Sequence, residues 1–166
     1  MSGAILALLT ACASPSFIPD SIQAQVDRSL TFKQLKGSPD SYRGRLIVLG
    51  GEVLTAKRLK DGTRIEILQL PLDGSQQPVP DRTASGGRFV ALQREFLDPA
   101  TLPKGTRLTL VGEVTGVTTL PLDETEYAYP TLEIKFLKVW PDWTAGQDGS
   151  PVYPTPWWGP YWRGPY

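Results

Sequence analysis

The 166-residue chain contains no histidine, no asparagine and only one cysteine. Without histidine, Ser-His-Asp and Cys-His-Asn nucleophile systems, histidine-ligated metals and imidazole acid–base catalysis are excluded. A single thiol can form neither an internal disulfide nor a zinc site built from several cysteines. Most familiar enzyme designs are therefore unavailable, and we expect no catalytic residues, no metal site and no cofactor.

Neither sign of charge is in excess, since Lys and Arg together number 17 and so do Asp and Glu. A duplex-binding protein usually carries a basic patch, and no long basic run is present. An OB-fold nucleic-acid binder would need basic and aromatic residues interleaved on its second and third strands, where the sequence offers Arg64, Arg88 and Phe89. We expect no nucleic-acid partner, and an OB-fold nucleic-acid binder stays an alternative.

The lone cysteine, Cys12, follows the short apolar run GAILALL. This run is far shorter than the roughly 20 residues that cross a bilayer, and it has the size of the apolar region of a signal peptide. The sequence LTAC that ends at Cys12 resembles the bacterial lipobox, in which a signal peptidase cuts before a cysteine that carries diacylglyceryl on its sulfur. We interpret residues 1–11 as a signal peptide, Leu9 and Ala11 as peptidase recognition residues, and Cys12 as the lipidated N-terminus.

Acyl chains on Cys12 would form a lasting anchor, because two or three chains at about 0.8 kcal/mol per buried methylene hold a protein on a membrane. An aspartate after the cysteine would favour the inner membrane, but Ala13 stands there. The resemblance therefore implies lipid anchoring in the outer membrane on its periplasmic side. Residues 12–30 are interpreted as the lipidated N-terminus and a tether, and about 15 extended residues reach roughly 50 Å.

Residues 31–142 are predicted to form a mainly β domain, a small antiparallel OB-like barrel preceded by a short helix. Thr31 and Gln34 fit a capping box at the start of that helix. Apolar and polar residues then alternate along five segments, and Asp61-Gly62 predicts a tight hairpin between the first two. The five predicted strands are RLIVLGGEVLTAKRL, TRIEILQL, GRFVALQ, TRLTLVGEVTGVTTL and PTLEIKFLKVW.

Two glycines, Gly51 and Gly112, lie in the middle of the first and fourth predicted strands. A mid-strand glycine usually marks a bulge or a sharp bend, and a bulge can require a positive φ. We therefore expect a structural role for these glycines, and we prefer it to a catalytic use of the adjacent Glu52 and Glu113. A glycosidase needs only two carboxylates, so a glycan hydrolase of the envelope stays an alternative.

Two loops resemble ligand sites in part. The acidic residues at 123–126 could attract Ca²⁺, but they lack the alternating oxygen ligands and the glycine of a calcium loop. Residues 83–89, TASGGRF, have the composition of an anion nest without a P-loop spacing. We interpret the first loop as a solvated hairpin end and the second as the turn that enters the third strand.

The C-terminal tail, residues 143–166, differs in composition from the rest of the chain. Its last 14 residues, YPTPWWGPYWRGPY, contain six aromatic side chains and no periodicity. We predict that this tail is disordered, and we single out Trp157, Trp158, Tyr161 and Trp162 as candidates for an interaction. Trp and Tyr favour membrane interfaces and stack on sugars, so peptidoglycan, a lipid surface or an envelope protein are the candidate partners. Disorder without a partner is the competing explanation.

Together with the lipobox, three segments of the chain resemble the Slp family of starvation-inducible outer-membrane lipoproteins. These segments are LTFKQLKGSPDSYRGRLIVLGGEV, GGRFVALQREFLDP and EYAYPTLEIKFLKVWP. The resemblance implies a non-catalytic, periplasm-facing lipoprotein of the starved or stressed envelope. It implies one functional residue, the lipidated Cys12, and no catalytic residue.

We predict that Cys12→Ser yields an unprocessed precursor without acyl chains, because an alcohol does not replace the thiol in lipid transfer. Metabolic labelling with a radioactive fatty acid checks this prediction. Equal label in the variant and in the natural protein would contradict lipidation at Cys12.

Overall fold

The computed structural model describes residues 17–141, in which five β-strands predominate. The strands are β1 (Leu46–Leu59), β2 (Gly62–Leu70), β3 (Gly87–Gln93), β4 (Arg107–Leu122) and β5 (Thr125–Trp140). They form a closed barrel in the order β1-β2-β3-β5-β4, in which β4 pairs back with β1. Neighbouring strands are antiparallel except for β3 and β5, which are parallel. The prediction of a mainly β chain is confirmed.

Short helical segments precede β1 and fill two of the connections. They are α1 (Asp20–Gln23), α2 (Phe32–Gly37) and the 3-10 turns Pro39–Tyr42, Arg82–Ala84 and Pro99–Thr101. The predicted capping box is confirmed, because the Thr31 hydroxyl accepts from the Gln34 backbone N–H and Gln34 Oε1 accepts from that of Thr31. Within residues 17–141, no helix is long and apolar enough to cross a membrane.

The core lies inside the barrel and continues under α2. Alternation along each strand directs every second side chain inward, and α2 adds Phe32 and Leu35, which are both buried. The Phe32 ring packs on that of Phe89 with 5.9 Å between centroids. The strands contribute Ile47, Leu49, Val53, Ile65, Ile67, Phe89, Leu108, Leu110, Val114, Leu132 and Ile134 to the core. Each such side chain stabilises the fold by about 1.5–3 kcal/mol.

The fourth and fifth strands continue past the predicted ends into a long hairpin. β5 begins at Thr125, whereas the sequence pattern placed its start at Pro130. The turn consists of Asp123 and Glu124, and a φ of 52° at Asp123 lets the chain reverse within two residues. The residues at 123–126 are all exposed, as expected for a solvated hairpin end. The β1–β2 hairpin was predicted from Asp61-Gly62, but its turn residues are Lys60 and Asp61.

The two mid-strand glycines are structural, but neither has the positive φ that a bulge can require. The pairing of β4 with β5 shifts register at Gly112, where a Cβ atom would lie 2.8 Å from Leu132 Cδ2. At Gly51 no register shift occurs, and a Cβ atom would collide with the carbonyl oxygen of Leu68 and with Ile67. Close approach of the neighbouring strand, and not backbone conformation, therefore requires these glycines.

We predict that Gly51→Ala lowers the free energy of unfolding by about 1–3 kcal/mol, because the added methyl group overpacks the β1–β2 contact. Gly37→Ala is the matched control, since a Cβ atom there meets open space. The control should leave stability unchanged or raise it by about 0.4–1 kcal/mol. Urea denaturation measures both, and equal midpoints for the two variants would contradict the steric explanation.

Candidate functional site

A cleft of about 200 Å³ lies between the outer face of the barrel and the β4–β5 hairpin. We call it the hairpin cleft, and its lining residues are Thr55, Lys57, Arg64, Glu66, Val90, Leu120 and Pro121. Strand register brings them together, because Lys57 lies opposite Arg64, and Glu66 lies opposite both Thr55 and Val90. The hairpin supplies the apolar wall formed by Leu120 and Pro121.

The carboxylate of the hairpin cleft, Glu66, already has two donors on one oxygen. Its Oε1 accepts from an Arg88 guanidinium nitrogen at 2.8 Å and from the Tyr129 hydroxyl at 3.1 Å. Tyr129 is 1% exposed, and burial followed by the charge of Glu66 raises the pKa of its hydroxyl above the ordinary value. This cluster fastens the hairpin to the outer face of β2 and neutralises the charge of Glu66.

The two cations of the cleft, Lys57 and Arg64, have no such partner. Neither forms an ion pair or donates a side-chain hydrogen bond to any other residue in the part of the chain that the structure describes. Lys57 is exposed and Arg64 is half-buried against the cleft. The hairpin cleft therefore carries uncompensated positive charge beside an apolar wall.

The residues considered for nucleic acid do not form a basic and aromatic surface. Phe89 is fully buried and packs on Phe32, so it cannot stack on a base. Arg88 is held by Glu66, and only Arg64 of the three points freely into the cleft. The structure gives this alternative no support.

The carboxylates near the mid-strand glycines form ion pairs. Glu113 and Glu133 lie opposite each other, and Lys135 Nζ lies 3.1 Å and 2.9 Å from their oxygens. Hydrogen bonds from Arg94 and then Lys135 lower the pKa of Glu133 below its ordinary value. A glycosidase acid needs a raised pKa, so this pair does not suit glycan hydrolysis.

The remaining acidic residues between positions 17 and 141 offer no metal centre. Glu52 lies 3.6 Å from Arg82 in an ion pair. No group of three or more Asp, Glu or Cys side chains between residues 17 and 141 could hold a metal ion, and the exposed residues at 123–126 are no exception. The segment 83–89 leads into β3, as predicted: residues 83–86 precede the strand, residues 87–89 begin it, and its arginine is the ion-paired Arg88.

The N-terminal segment packs on the outside of β5 through aromatic side chains. The Phe17 ring lies 6.0 Å from that of Phe136 and 5.6 Å, edge to face, from that of Trp140. Lys138 Nζ lies over both Phe17 and Trp140, at 5.3 Å and 4.8 Å from the ring centres. We call these four residues the aromatic clasp, and it joins the two ends of the described chain.

Residues 17–30 therefore differ from the predicted tether. Ile18 and Leu30 are 3% and 7% exposed, and the Asp27 carboxylate pairs with Arg45 at 2.5 Å. A cavity of about 270 Å³ remains between this segment, β1 and the loop after β2. The tether prediction failed here because it relied on the absence of periodicity, whereas these contacts are made by isolated apolar residues.

Several predicted site residues lie outside residues 17–141. They are Leu9, Ala11, Cys12, Trp157, Trp158, Tyr161 and Trp162. Sequence reasoning missed Lys57, Tyr129 and the aromatic clasp. A two-residue hairpin turn after Leu59 would have placed Lys57 opposite Arg64, whereas no local pattern indicates that Phe17 contacts β5.

Comparison with known proteins gives one family. A family model described as "Outer membrane lipoprotein Slp family" matches residues 9–166. The "Uncharacterized lipoprotein YeaY" of Escherichia coli (strain K12) is 27% identical over 141 residues, which cover 84% of this chain and 70% of the relative. An "Uncharacterized protein" of Haemophilus influenzae (strain ATCC 51907 / DSM 11121 / KW20 / Rd) is 23% identical over 132 residues, 80% of this chain and 70% of the relative. No solved structure gives a significant match.

We predict that Asp27 makes the docked N-terminal segment sensitive to acid. Hydrogen bonds from Ser29 and Arg45 lower its pKa from 3.8 to about 2. Its contribution to stability is therefore complete above about pH 4 and is lost as the pH falls towards about 2. Asp27→Asn should remove this part of the acid-induced loss of stability. Urea denaturation at several pH values measures the effect.

Asp123→Asn is the matched control, since Asp123 is exposed on the hairpin turn and asparagine tolerates the same backbone conformation. The control should keep the acid dependence of the natural protein. An Asp27→Asn profile that parallels the control at every pH would contradict the assignment.

Proposed function

Because the chain belongs to the Slp family of outer membrane lipoproteins, we propose that Cys12 is lipidated and anchors it in the outer membrane on the periplasmic side. There the barrel serves as a non-catalytic binding or structural module. The family resemblance further implies production in the starved or stationary-phase envelope, which we include in the proposal. The aromatic clasp is the observation that supports a membrane-proximal module most directly.

The aromatic clasp determines how far the barrel can stand from its anchor. Phe17 is the fifth residue after Cys12, and five extended residues span at most about 18 Å. A free tether over residues 12–30 would have allowed roughly 60 Å. We infer that the barrel lies close to the lipid headgroups, with the outer surface of β5 nearest to the anchor.

The same geometry supports a membrane-proximal origin for the tail. Trp140, the last residue of β5, contacts Phe17 in the clasp. The tail therefore leaves the barrel at the edge where the anchored segment arrives. Tryptophan and tyrosine favour the membrane interface, where the apolar ring and the polar N–H or O–H are both satisfied. Trp157, Trp158, Tyr161 and Trp162 accordingly fit an interfacial role, with peptidoglycan or an envelope protein as the other candidate partners.

The strand order supports the interpretation of the barrel as OB-like. The order β1-β2-β3-β5-β4, with β1 shared between β2 and β4, closes five strands in a Greek-key arrangement. OB barrels bind ligands on the face of their second and third strands, between the β1–β2 and β4–β5 loops. The hairpin cleft lies on this face, which favours a binding role for the module over a purely structural one.

Glycan hydrolysis is not favoured as the alternative function. Every carboxyl group between residues 17 and 141 whose pKa is shifted is shifted downward; these groups belong to Asp27, Asp73, Asp81 and Glu133. A general acid that protonates a glycosidic oxygen requires the opposite shift. Ionised, paired carboxylates suit a binding module better than an acid–base catalyst.

We predict that the tail contributes to envelope binding apart from the acyl anchor. Protein that lacks residues 1–11 and carries Cys12→Ser should co-sediment with lipid vesicles or peptidoglycan. Removal of residues 144–166 should weaken that binding more than tenfold, because several rings at about 1 kcal/mol each are lost. The melting temperature should not change, since the last strand ends at Trp140.

The matched control keeps the tail length and replaces Trp157, Trp158, Tyr161 and Trp162 with serine. It should lose as much binding as the truncation does. Equal pelleting of all three proteins would contradict the interaction and would leave disorder without a partner as the better explanation.

A further inference from the structure

We propose that the hairpin cleft binds an oxyanion, a phosphate or carboxylate group on a small envelope component, and that Lys57 and Arg64 hold it. The inference deepens the proposed function, on which its setting in the envelope rests. It names the binding residues and the ligand chemistry on the face of β2 and β3, which the OB-like interpretation indicates only as a general binding surface.

The strand register places the two cations of the cleft side by side. Lys57 and Arg64 are directly opposite on the antiparallel strands β1 and β2. Like charges in such a pair repel each other and destabilise the sheet. Since no carboxylate between residues 17 and 141 pairs with either side chain, the repulsion is uncompensated in the free protein. An anion bound between the two cations would convert repulsion into attraction.

The carboxylate of the cleft has hydrogen-bond partners other than these two cations. Glu66 Oε1 accepts from both Arg88 and Tyr129. Because Arg88 compensates its charge, Glu66 does not neutralise Lys57 or Arg64, and the cleft keeps a net positive charge. The Glu66 cluster also holds the hairpin in position, so that the cleft is formed before any ligand arrives.

The lining of the cleft matches an oxyanion in hydrogen-bond geometry and in size. The Arg64 guanidinium is a planar fork that can donate two parallel hydrogen bonds to a carboxylate or phosphate, and Lys57 adds a point charge. Val90, Leu120 and Pro121 provide apolar walls, which strengthen the electrostatic attraction by excluding water. At about 200 Å³, the cleft lies below the ~300–1,000 Å³ of drug-sized ligand sites. One acidic group on a carrier the size of a single sugar is therefore the expected occupant.

The test uses the full-length mature protein in detergent micelles, titrated at constant ionic strength and followed by backbone amide chemical shifts. Three probes separate the sources of the ligand: inorganic phosphate, the carboxylate-bearing sugar N-acetylmuramic acid, and the neutral sugar N-acetylglucosamine.

We expect phosphate, N-acetylmuramic acid or both to shift the signals of residues 55–57 and 64–66, and N-acetylglucosamine to leave them unchanged. Lys57→Gln and Arg64→Gln should each weaken binding about tenfold, the usual effect of losing one charged hydrogen bond.

Lys33→Gln is the matched control, because it removes one positive charge from an exposed position on α2. It should bind the probes as the natural protein does. The two cleft variants should also melt at or above the natural temperature, since each relieves the cross-strand repulsion, and this result separates lost binding from lost folding.

Three results would overturn the proposal: no saturable shift with either acidic probe, equal weakening by Lys33→Gln, or a lower melting temperature in both cleft variants, which would make the cations structural. Fatty-acid labelling of the same preparation reports the anchor separately. If a protein that carries the fatty-acid label binds no anion, the anion site is wrong and the lipoprotein assignment stands. If a protein without the label binds the anion, the site stands and the proposed anchor is wrong.

Discussion

Pairing between β1 and β4 closes the barrel, and the remaining contacts depend on that closure. It runs from Leu46 opposite Glu113 to Glu52 opposite Arg107 and turns a five-stranded sheet into a barrel without free edges. Barrels often bend at mid-strand glycines, and here Gly51 and Gly112 lie so close to the neighbouring strands that there is no room for a Cβ atom. Inside the closed sheet the alternating apolar residues form one core.

Two further features are built on the outside of the closed barrel. The long β4–β5 hairpin is fastened to β2 by the Glu66, Arg88 and Tyr129 cluster, and this contact creates the hairpin cleft. On β5, Phe136 and Trp140 receive Phe17 in the aromatic clasp. The barrel therefore carries a preformed cleft on one face and the N-terminal segment on another, an arrangement that suits the proposed module at a membrane surface.

The sequence predicted those features that depend on local chemistry. The capping box of Thr31 and Gln34 needs only backbone geometry and two side chains, and strand alternation needs only a period of two, so both predictions were confirmed. The mainly β class followed from the same alternation. The role of Gly51 was predicted for the wrong reason, because the limiting atom, the Leu68 carbonyl oxygen, belongs to the neighbouring strand.

The contacts that sequence reasoning missed join residues far apart in the chain. Phe17 and Trp140 are more than a hundred residues apart, so no local period reveals their contact, and the segment around Phe17 was interpreted as a tether. The unpaired cations of the cleft depend on the strand register, because the two-residue turn at Lys60 and Asp61 places Lys57 opposite Arg64. The family resemblance indicated an anchor but carried no information on these surfaces.

In the proposed arrangement, the aromatic clasp holds the barrel next to the membrane. Neutron reflectometry of the acylated protein in a supported bilayer measures the thickness of the water layer between the headgroups and the protein. Five residues from Cys12 to Phe17 predict a layer no thicker than about 20 Å, allowing for the lipid linkage. A protein layer that begins roughly 60 Å from the headgroups, as a free tether over residues 12–30 would allow, would contradict this arrangement.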